Sequence, residues 1–332
     1  MKCLFIDGVK KVSLQEREVS EIGPRDVLVK LEARGICGTD LSSYRSGFAM
    51  GFGHEMAGVV YKVGCESDFV VGTKVFISNL SQNLVSYAPE SGYAYMGGFA
   101  DYLLVKNAVV DVDLYPVPES MSFSQIALIE PFCVSMSGVK KYPVNKDSKV
   151  VIFGAGIIGM CAFEYLKSQG VQNAVVVDIN ESRLLRAKKA GAIPFNSKEG
   201  NLKDFLSEIY GINYSMLVGP VPDVDVYIDA AGVGSLLNEA LNMIKIGGQI
   251  TILAVYHKAP EINMTSVMYN SVKINGSCMF TPQDILEAIE IFQKNPCIAQ
   301  HIISHEIPFE EAQRGFEIAD NPSECLKVML VG

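Results

Sequence analysis

Residues 149–160 read KVVIFGAGIIGM, and their reading decides the fold class. An apolar run of strand length leads directly into Gly154-Ala155-Gly156-Ile157-Ile158-Gly159. That G-x-G-x-x-G pattern opens a helical segment, IIGMCAFEYLKSQG, ending at Gly170. The first glycine permits a tight turn, the second a close backbone approach to a pyrophosphate, and the third close helix–strand packing. Backbone N–H groups at the helix start then face the phosphates. The pattern alone is weak; its place between strand and helix gives it weight.

The next strand, AVVVDIN, ends at Asp178, 24 residues after Gly154. A carboxylate there can accept hydrogen bonds from both ribose hydroxyls, and it repels a 2′-phosphate, so NAD is expected rather than NADP. The bland alternative is a helix-capping aspartate. Arg183 can stack on adenine or simply lie on the solvated face of the basic helix ESRLLRAKKAGA, which stops at Gly191. The candidate cofactor residues are therefore Gly154, Gly156, Ile157, Ile158, Gly159, Asp178 and Arg183.

Working outward, residues 149–275 alternate strand and helix, through DVDVYIDAAG, SLLNEALNMI and QITILAV. That rhythm predicts an α/β doubly wound parallel sheet covered by helices on both faces. Residues 1–115 instead hold short β segments such as VLVKLEA (27–33), AGVVYKV (57–63) and TKVFI (73–77), broken by glycines, Pro24 and acidic residues. They suit a barrel-like antiparallel domain. From about 123 the period becomes helical, with SFSQIALIEPF opening at Ser122 or Ser124 and interrupted at Pro131. A helix over 283–294 and a last strand, LKVMLV, resemble the first region again, so the chain end is expected to complete it. The expected domains are 1–134 plus 275–332, and 135–274.

Bulk properties agree. A chain of 332 residues suits two domains, and a composition half hydrophobic and one-fifth charged is globular. The net charge of −9 argues against a sequence-independent grip on nucleic acid or an anionic membrane. No apolar run approaches the roughly 20 residues that span a bilayer. The N-terminus, MKCLFIDGVKKVSLQ, alternates like a strand and not like a signal peptide, so a cytoplasmic protein is expected. The eight cysteines (3, 37, 65, 133, 161, 278, 297, 325) form no CxxC and no disulfide framework.

One of them stands in polar company. GICGTD (35–40), GHE (53–55) and Glu130-Pro131 place a thiol, an imidazole and carboxylates among glycines in an otherwise apolar region. Such a set suits a borderline-soft ion, Zn²⁺ above all, and three protein ligands leave a position open for water or substrate. Singly, Cys37 reads as a core thiol, His54 as a loop histidine, and Glu55 or Glu130 as salt-bridged carboxylates. Their concurrence ahead of a full dinucleotide fingerprint favours Cys37, His54, Glu55 and Glu130 as metal ligands.

At this point the sequence resembles the zinc-containing medium-chain alcohol dehydrogenases, over essentially its whole length. The polyol branch, with sorbitol, galactitol-phosphate and threonine dehydrogenases, is the nearest in style. The resemblance rests on GICGTD, GHEMAG (53–58), GGFADYLLV (97–105), ALIEPFCVSMSGV (127–139), VVIFGAGIIGM (150–160), VVVDINESRL (175–184) and GGQITILA (247–254). It implies a GroES-like, partly open β-barrel catalytic domain built from both chain ends around a Rossmann domain. It also implies zinc on Cys37 and His54, with the positions of Glu55 and Glu130 both approaching the metal, one directly and one directly or through water. The EPF sequence points to the polyol side. By the same resemblance Thr39 takes the alcohol proton, Asp40 orients His54 through its second ring nitrogen, and Tyr44 contacts substrate beside Glu130. The implied reaction is hydride transfer between NAD and a secondary alcohol or ketone of a small polar substrate, with zinc as Lewis acid. Glu55 and Glu130 join Thr39 as catalytic candidates, and a homodimer or homotetramer is implied.

Three departures qualify the likeness. Many relatives hold a structural zinc on four closely spaced cysteines, but ISNLSQNLVSYAPESGYAYMGG (77–98) has none, so one catalytic zinc per chain is expected. Tyr87, Tyr93 and Tyr95 are expected to pack that shortened lobe, line an oligomer contact, or lie in a solvated loop. Ser42 stands where relatives often place a relay histidine. The loop SSYRSGFAMGF (42–52) is short, and Arg45 is either an anion anchor or an exposed loop arginine. Two competing readings remain: a zinc-free NAD(P)H reductase of the same fold, and a non-catalytic NAD-binding sensory or structural protein.

Overall fold

The strand Val27–Gly35 organises the first unit. It pairs antiparallel with Glu55–Val63, Tyr102–Val105 and the C-terminal Val328–Val331. Lys74–Ile77 and Leu114–Pro116 extend the sheet beyond Glu55–Val63, while His305–Pro308 lies outside Val328–Val331. Alternation along the central strand turns Val27, Val29 and Leu31 into a core with Met56, Val75, Ile77, Leu103 and Val105. The chain terminus is sealed in by Arg34. Its wholly buried guanidinium donates to Leu31 O, Ala100 O and Gly332 O and lies 4.1 Å from the centre of the Phe309 ring.

These facts come from a computed structural model that describes residues 1–323 and 325–332, and the side chain of Tyr93 is outside it. The packing expected of Tyr93 therefore falls outside the described residues. Its neighbours Tyr87 and Tyr95 are buried, with their rings 5.5 Å apart and both packed on Phe5. The shortened lobe is thus filled by aromatic packing.

The chain divides into two units, Met1–Glu130 with Pro282–Gly332, and Pro131–Thr281. In the second, six parallel strands run in the order Ile193–Asn196, Val175–Asp178, Val150–Phe153, Val226–Asp229, Gln249–Ile252 and Lys273–Gly276. Chain order reverses between Val150–Phe153 and Val226–Asp229, the switch point where such sheets bind dinucleotides. The expected boundary at 275 cuts through the last strand. KING is too short and polar to be read as one.

The segment expected to be interrupted at Pro131 breaks earlier. Ser122 caps a helix over Phe123–Ala127, accepting from Gln125 N–H, and a second helix, Ile129–Val139, follows. Pro131 sits in the first turn of that second helix, where its missing N–H forfeits no intrahelical bond. An antiparallel hairpin, Ile212–Ser215 with Gly219–Pro222, stands apart from the parallel sheet and has no counterpart in the sequence reading. Among the described residues, no helix is long and apolar enough to cross a membrane.

Candidate metal centre and dinucleotide loop

In the first unit the strand Val27–Gly35 runs out through Ile36 into Cys37, which caps the helix Gly38–Ser46. Asp40, fully buried, accepts from Cys37 N–H (2.8 Å) and from Gly53 N–H (2.9 Å). One carboxylate thereby ties the cysteine to the turn that presents His54. Glu55 begins the next strand and folds over Gly35, where an added Cβ would stand 1.7 Å from Glu55 Oε2. That glycine is required by the glutamate above it.

Ligand atoms of Cys37, His54 and Glu55 lie within 4.8 Å of one another, the one such group of three among the described residues. Cys37 is half-buried; His54 and Glu55 are buried. His54 Nδ1 hydrogen-bonds Gly51 O at 2.9 Å, which leaves Nε2 for another partner. Asp40 Oδ1 is 3.9 Å from Nδ1, beyond a hydrogen bond. The expectation that Asp40 orients His54 through that nitrogen is therefore corrected: Asp40 spends its bonds on two backbone amides and acts on the histidine by position and charge.

Glu130 stands outside that triplet and is buried, accepting from Asn79 Nδ2 at 2.9 Å. Burial pushes its carboxyl up to about 7, with Glu55 adding to the shift and His54, Lys327 and Asn79 opposing it. Burial alone would lower His54, yet Asp40, Cys37 and Glu130 raise it well above its ordinary 6.5. A pocket that draws a proton onto a buried imidazole also draws a cation. Glu55 Oε1 and Asn79 Oδ1 are buried with no hydrogen-bond partner, and such orphaned acceptors are what a metal ion or its water would satisfy. A thiol, an imidazole and a carboxylate are donors zinc prefers. The residues fit the ion.

Lys327 completes the cluster and escaped the sequence reading. Its fully buried ammonium pairs with Glu55 Oε2 and donates to Ile36 O at 2.9 Å. Burial disfavours its charge, but Glu55 and Cys37 more than compensate and raise its pKa. The signal was a lone lysine inside the apolar run LKVMLV, read simply as a strand.

Around the cluster the remaining candidates separate. Thr39 is exposed, its Oγ1 4.0 Å from Cys37 Sγ. Ser42 is exposed and donates to Gly38 O. Tyr44, expected to meet substrate, is instead 2% exposed, packed on Phe316 and hydrogen-bonded by Gln313. The supposed loop begins as a helix, and helical spacing turns position 44 inward. Arg45 is ion-paired with Asp320 at 2.5 Å.

In the second unit, Gly154 adopts φ +97°, and a Cβ on Gly159 would lie 1.8 Å from Gly154 O. Neither position tolerates a side chain. At Gly156 an added Cβ meets no protein atom nearer than Arg183 Nη1 at 3.9 Å, so the space it leaves open is not filled by packing. Gly156 N-caps the helix Ile157–Ser168, placing Ile157 and Ile158 in its first turn with their amides at the open end. Asp178 Oδ2 accepts from Ala155 N–H at 2.7 Å. The helix Glu181–Ala190 is capped by Asn180, not by Asp178.

Comparison with known proteins follows the same division. Residues 23–119 match the alcohol dehydrogenase GroES-like domain family, and residues 158–294 match the zinc-binding dehydrogenase family. Together they cover well over half of the chain. Sorbitol dehydrogenase of Arabidopsis thaliana is 28% identical over 345 residues, covering 98% of this chain and 93% of that protein. L-Idonate 5-dehydrogenase of Vitis vinifera is 25% identical over 342 residues, covering 97% and 92%. The crystal structure of 2R,3R-butanediol dehydrogenase from Bacillus subtilis shares the fold, with a TM-score of 0.84 at 21% identity over 100% of this chain and 99% of that one. The chain belongs to the zinc-binding medium-chain alcohol dehydrogenase family, oxidoreductases that act on CH–OH groups with a nicotinamide dinucleotide.

Proposed function

We propose that this chain is an NAD-linked dehydrogenase that holds one catalytic zinc ion and oxidises a secondary alcohol of a small polar substrate. Polyols, sugar acids, sugar-alcohol phosphates and threonine-like compounds form the substrate set. One observation carries the reading: Cys37, His54 and Glu55 converge within 4.8 Å, and Glu55 Oε1 is buried without a hydrogen-bond partner. Arg45, the anion anchor the loop offered, is ion-paired with Asp320, a carboxylate it shares with Lys10, so no member of the set is singled out by it.

Cys37 Sγ, His54 Nε2 and a Glu55 oxygen would hold the ion, with Glu130 approaching directly or through water. When bound, zinc polarises the alcohol oxygen as a Lewis acid and NAD accepts the hydride. The protein's own groups do the rest. Thr39 Oγ1 takes the hydroxyl proton of the substrate and passes it on through Ser42 or to water. Asp40 holds the cysteine and histidine segments together, and Lys327 holds Glu55 in place through their ion pair. Glu130 accepts hydrogen bonds from substrate hydroxyls or from a water. Asp178, at the end of its strand, takes the ribose hydroxyls and disfavours a 2′-phosphate.

The test is metal content followed by turnover. Protein expressed in zinc-replete medium should carry close to one zinc per chain, and a panel of polyols, sugar acids, polyol phosphates and threonine should yield NADH with at least one member. Zinc far below one per chain would sink the metal reading. Zinc at one per chain with no NADH from any alcohol, and no NADH oxidation by the matching ketones, would favour the sensory alternative.

A further inference from the structure

Past the switch point, the parallel sheet carries a buried carboxylate that the proposed reaction does not use. Asp229 ends the strand Val226–Asp229, is 1% exposed, and ties two loops together. Its Oδ1 accepts from Ala231 N–H at 2.9 Å and from Gly232 N–H at 3.0 Å. Its Oδ2 accepts from the hydroxyl of Tyr256. Its backbone oxygen accepts from Leu253 N–H at 2.8 Å and from Ala254 N–H at 3.0 Å. A carboxylate is kept out of water only where hydrogen bonds replace its hydration, and here they come from both loops at once.

The two loops are shaped to lie against each other. Gly232 has φ +69°, and a Cβ there would stand 2.7 Å from Val255 O. A Cβ on Gly234 would stand 2.8 Å from Pro260 Cβ. Tyr256 packs on the core that includes Tyr227, Leu237 and Ile250, so its hydroxyl reaches Asp229 from an anchored ring. Val255, fixed on both sides, is held 79% exposed. On the other flank Ala230 N–H donates to Phe153 O at 2.9 Å, and a Cβ on Gly154 would stand 3.1 Å from Ala230 O. The clasp is therefore continuous with the glycine turn.

Position in the sheet identifies what the clasp faces. A doubly wound sheet receives a dinucleotide across the carboxyl ends of its strands, one nucleotide on each half. The glycine turn at 154–159 and Asp178 belong to the half built from Val150–Phe153, Val175–Asp178 and Ile193–Asn196. Residues 230–234 and 253–256 leave the carboxyl ends of Val226–Asp229 and Gln249–Ile252, in the other half. The inference rests on the NAD reading: with the adenosine ribose on Asp178, the nicotinamide nucleotide is what remains for these loops.

We propose that Tyr256, acting through Asp229, is a positioning residue that sets the loop 253–256 against the nicotinamide nucleotide. Hydride transfer needs that ring held in one near-attack orientation, which a loop pinned at both ends supplies. Tyr256→Phe keeps the ring on the core and deletes only the hydroxyl. NADH affinity, by fluorescence titration, should fall about tenfold, on the scale of one hydrogen bond to a charged group. The emission of bound NADH should move towards that of the free cofactor. ADP-ribose, which lacks the nicotinamide ring, should bind within about twofold of wild type by calorimetry. Unchanged NADH affinity overturns the proposal. So does an equal loss for both ligands, since a merely structural tyrosine would loosen the whole crevice. A wild type that binds neither ligand would instead sink the NAD reading, and this inference with it.

Discussion

In the second unit the candidate cofactor site is made almost wholly of backbone between residues 154 and 183, whereas the first unit assembles its cluster from side chains as far apart as Cys37 and Lys327. The loop works because Gly154 and Gly159 have no side chains and Gly156 leaves room. The cluster works because six ionisable side chains, Cys37, Asp40, His54, Glu55, Glu130 and Lys327, are buried or half-buried together and each answers another's charge. Centres of the first kind fail through sterics and centres of the second kind through electrostatics. The two should therefore be separable by mutation.

The sharpest separation is Cys37→Ser. A serine hydroxyl is a far poorer zinc donor than a thiolate, and it removes the sulfur from the cluster without touching the glycine loop. Turnover should fall by roughly a thousandfold or more, on the scale of losing a principal catalytic group. NADH affinity, measured by fluorescence titration, should remain within about twofold. Retained turnover, or a parallel loss of NADH binding, would break the independence of the two centres.

Lys327→Met examines the cluster from within. Removing one partner of a buried ion pair typically costs about 3–5 kcal/mol, because the other charge is left uncompensated. Glu55 would be that charge. If Glu55 is a direct metal ligand, bound zinc offsets much of the loss, so destabilisation should be large after chelation and smaller in the zinc-loaded protein. Equal destabilisation in both states, read by denaturant unfolding, would move the third ligand from Glu55 to Glu130.

The same contrast explains what could be read in the sequence. The fingerprint was legible because its physics is local: strand, turn and helix follow within twelve residues, and the glycines announce their own necessity. Cys37, His54 and Glu55 were legible because they sit at turns, among glycines, where polar residues interrupt apolar runs. Lys327 was not, since only the antiparallel pairing of Val328–Val331 with Val27–Gly35 brings it beside Ile36 and Glu55. Tyr44 misled for a related reason: a segment taken as a loop is helical, and its buried face is set by Phe316, far along the chain. The hairpin at 212–222 escaped because its two strands are four residues each, with only Ser215, Val221 and Pro222 buried and no alternation against a core.

A smaller effect tests the loop. Asp178→Ala removes both the proposed ribose partner and the bond to Ala155 N–H. Loss of that backbone bond weakens NAD and NADP alike, whereas loss of the carboxylate costs NAD its ribose hydrogen bonds and frees NADP of the penalty on its 2′-phosphate. The ratio of kcat/KM for NAD over NADP should therefore fall on the order of tenfold, about one charged hydrogen bond. An unchanged ratio would reassign the ribose.

The smallest effect is the most discriminating for that assignment. Asn180 accepts from Ser182 N–H and Arg183 N–H at the start of the helix Glu181–Ala190. Asn180→Ala removes this cap and should cost about 1 kcal/mol of stability, seen as a fall of a few degrees in Tm. Position 180 lies only two residues beyond Asp178, so any general loosening of the turn would be shared by both variants. The cap has no part in distinguishing a hydroxyl from a phosphate, and the cofactor ratio should stay at the wild-type value. If it falls as far as in Asp178→Ala, cofactor choice depends on the order of the turn and not on the charge of one carboxylate, and the second unit's site is less purely a backbone construction than its glycines suggest.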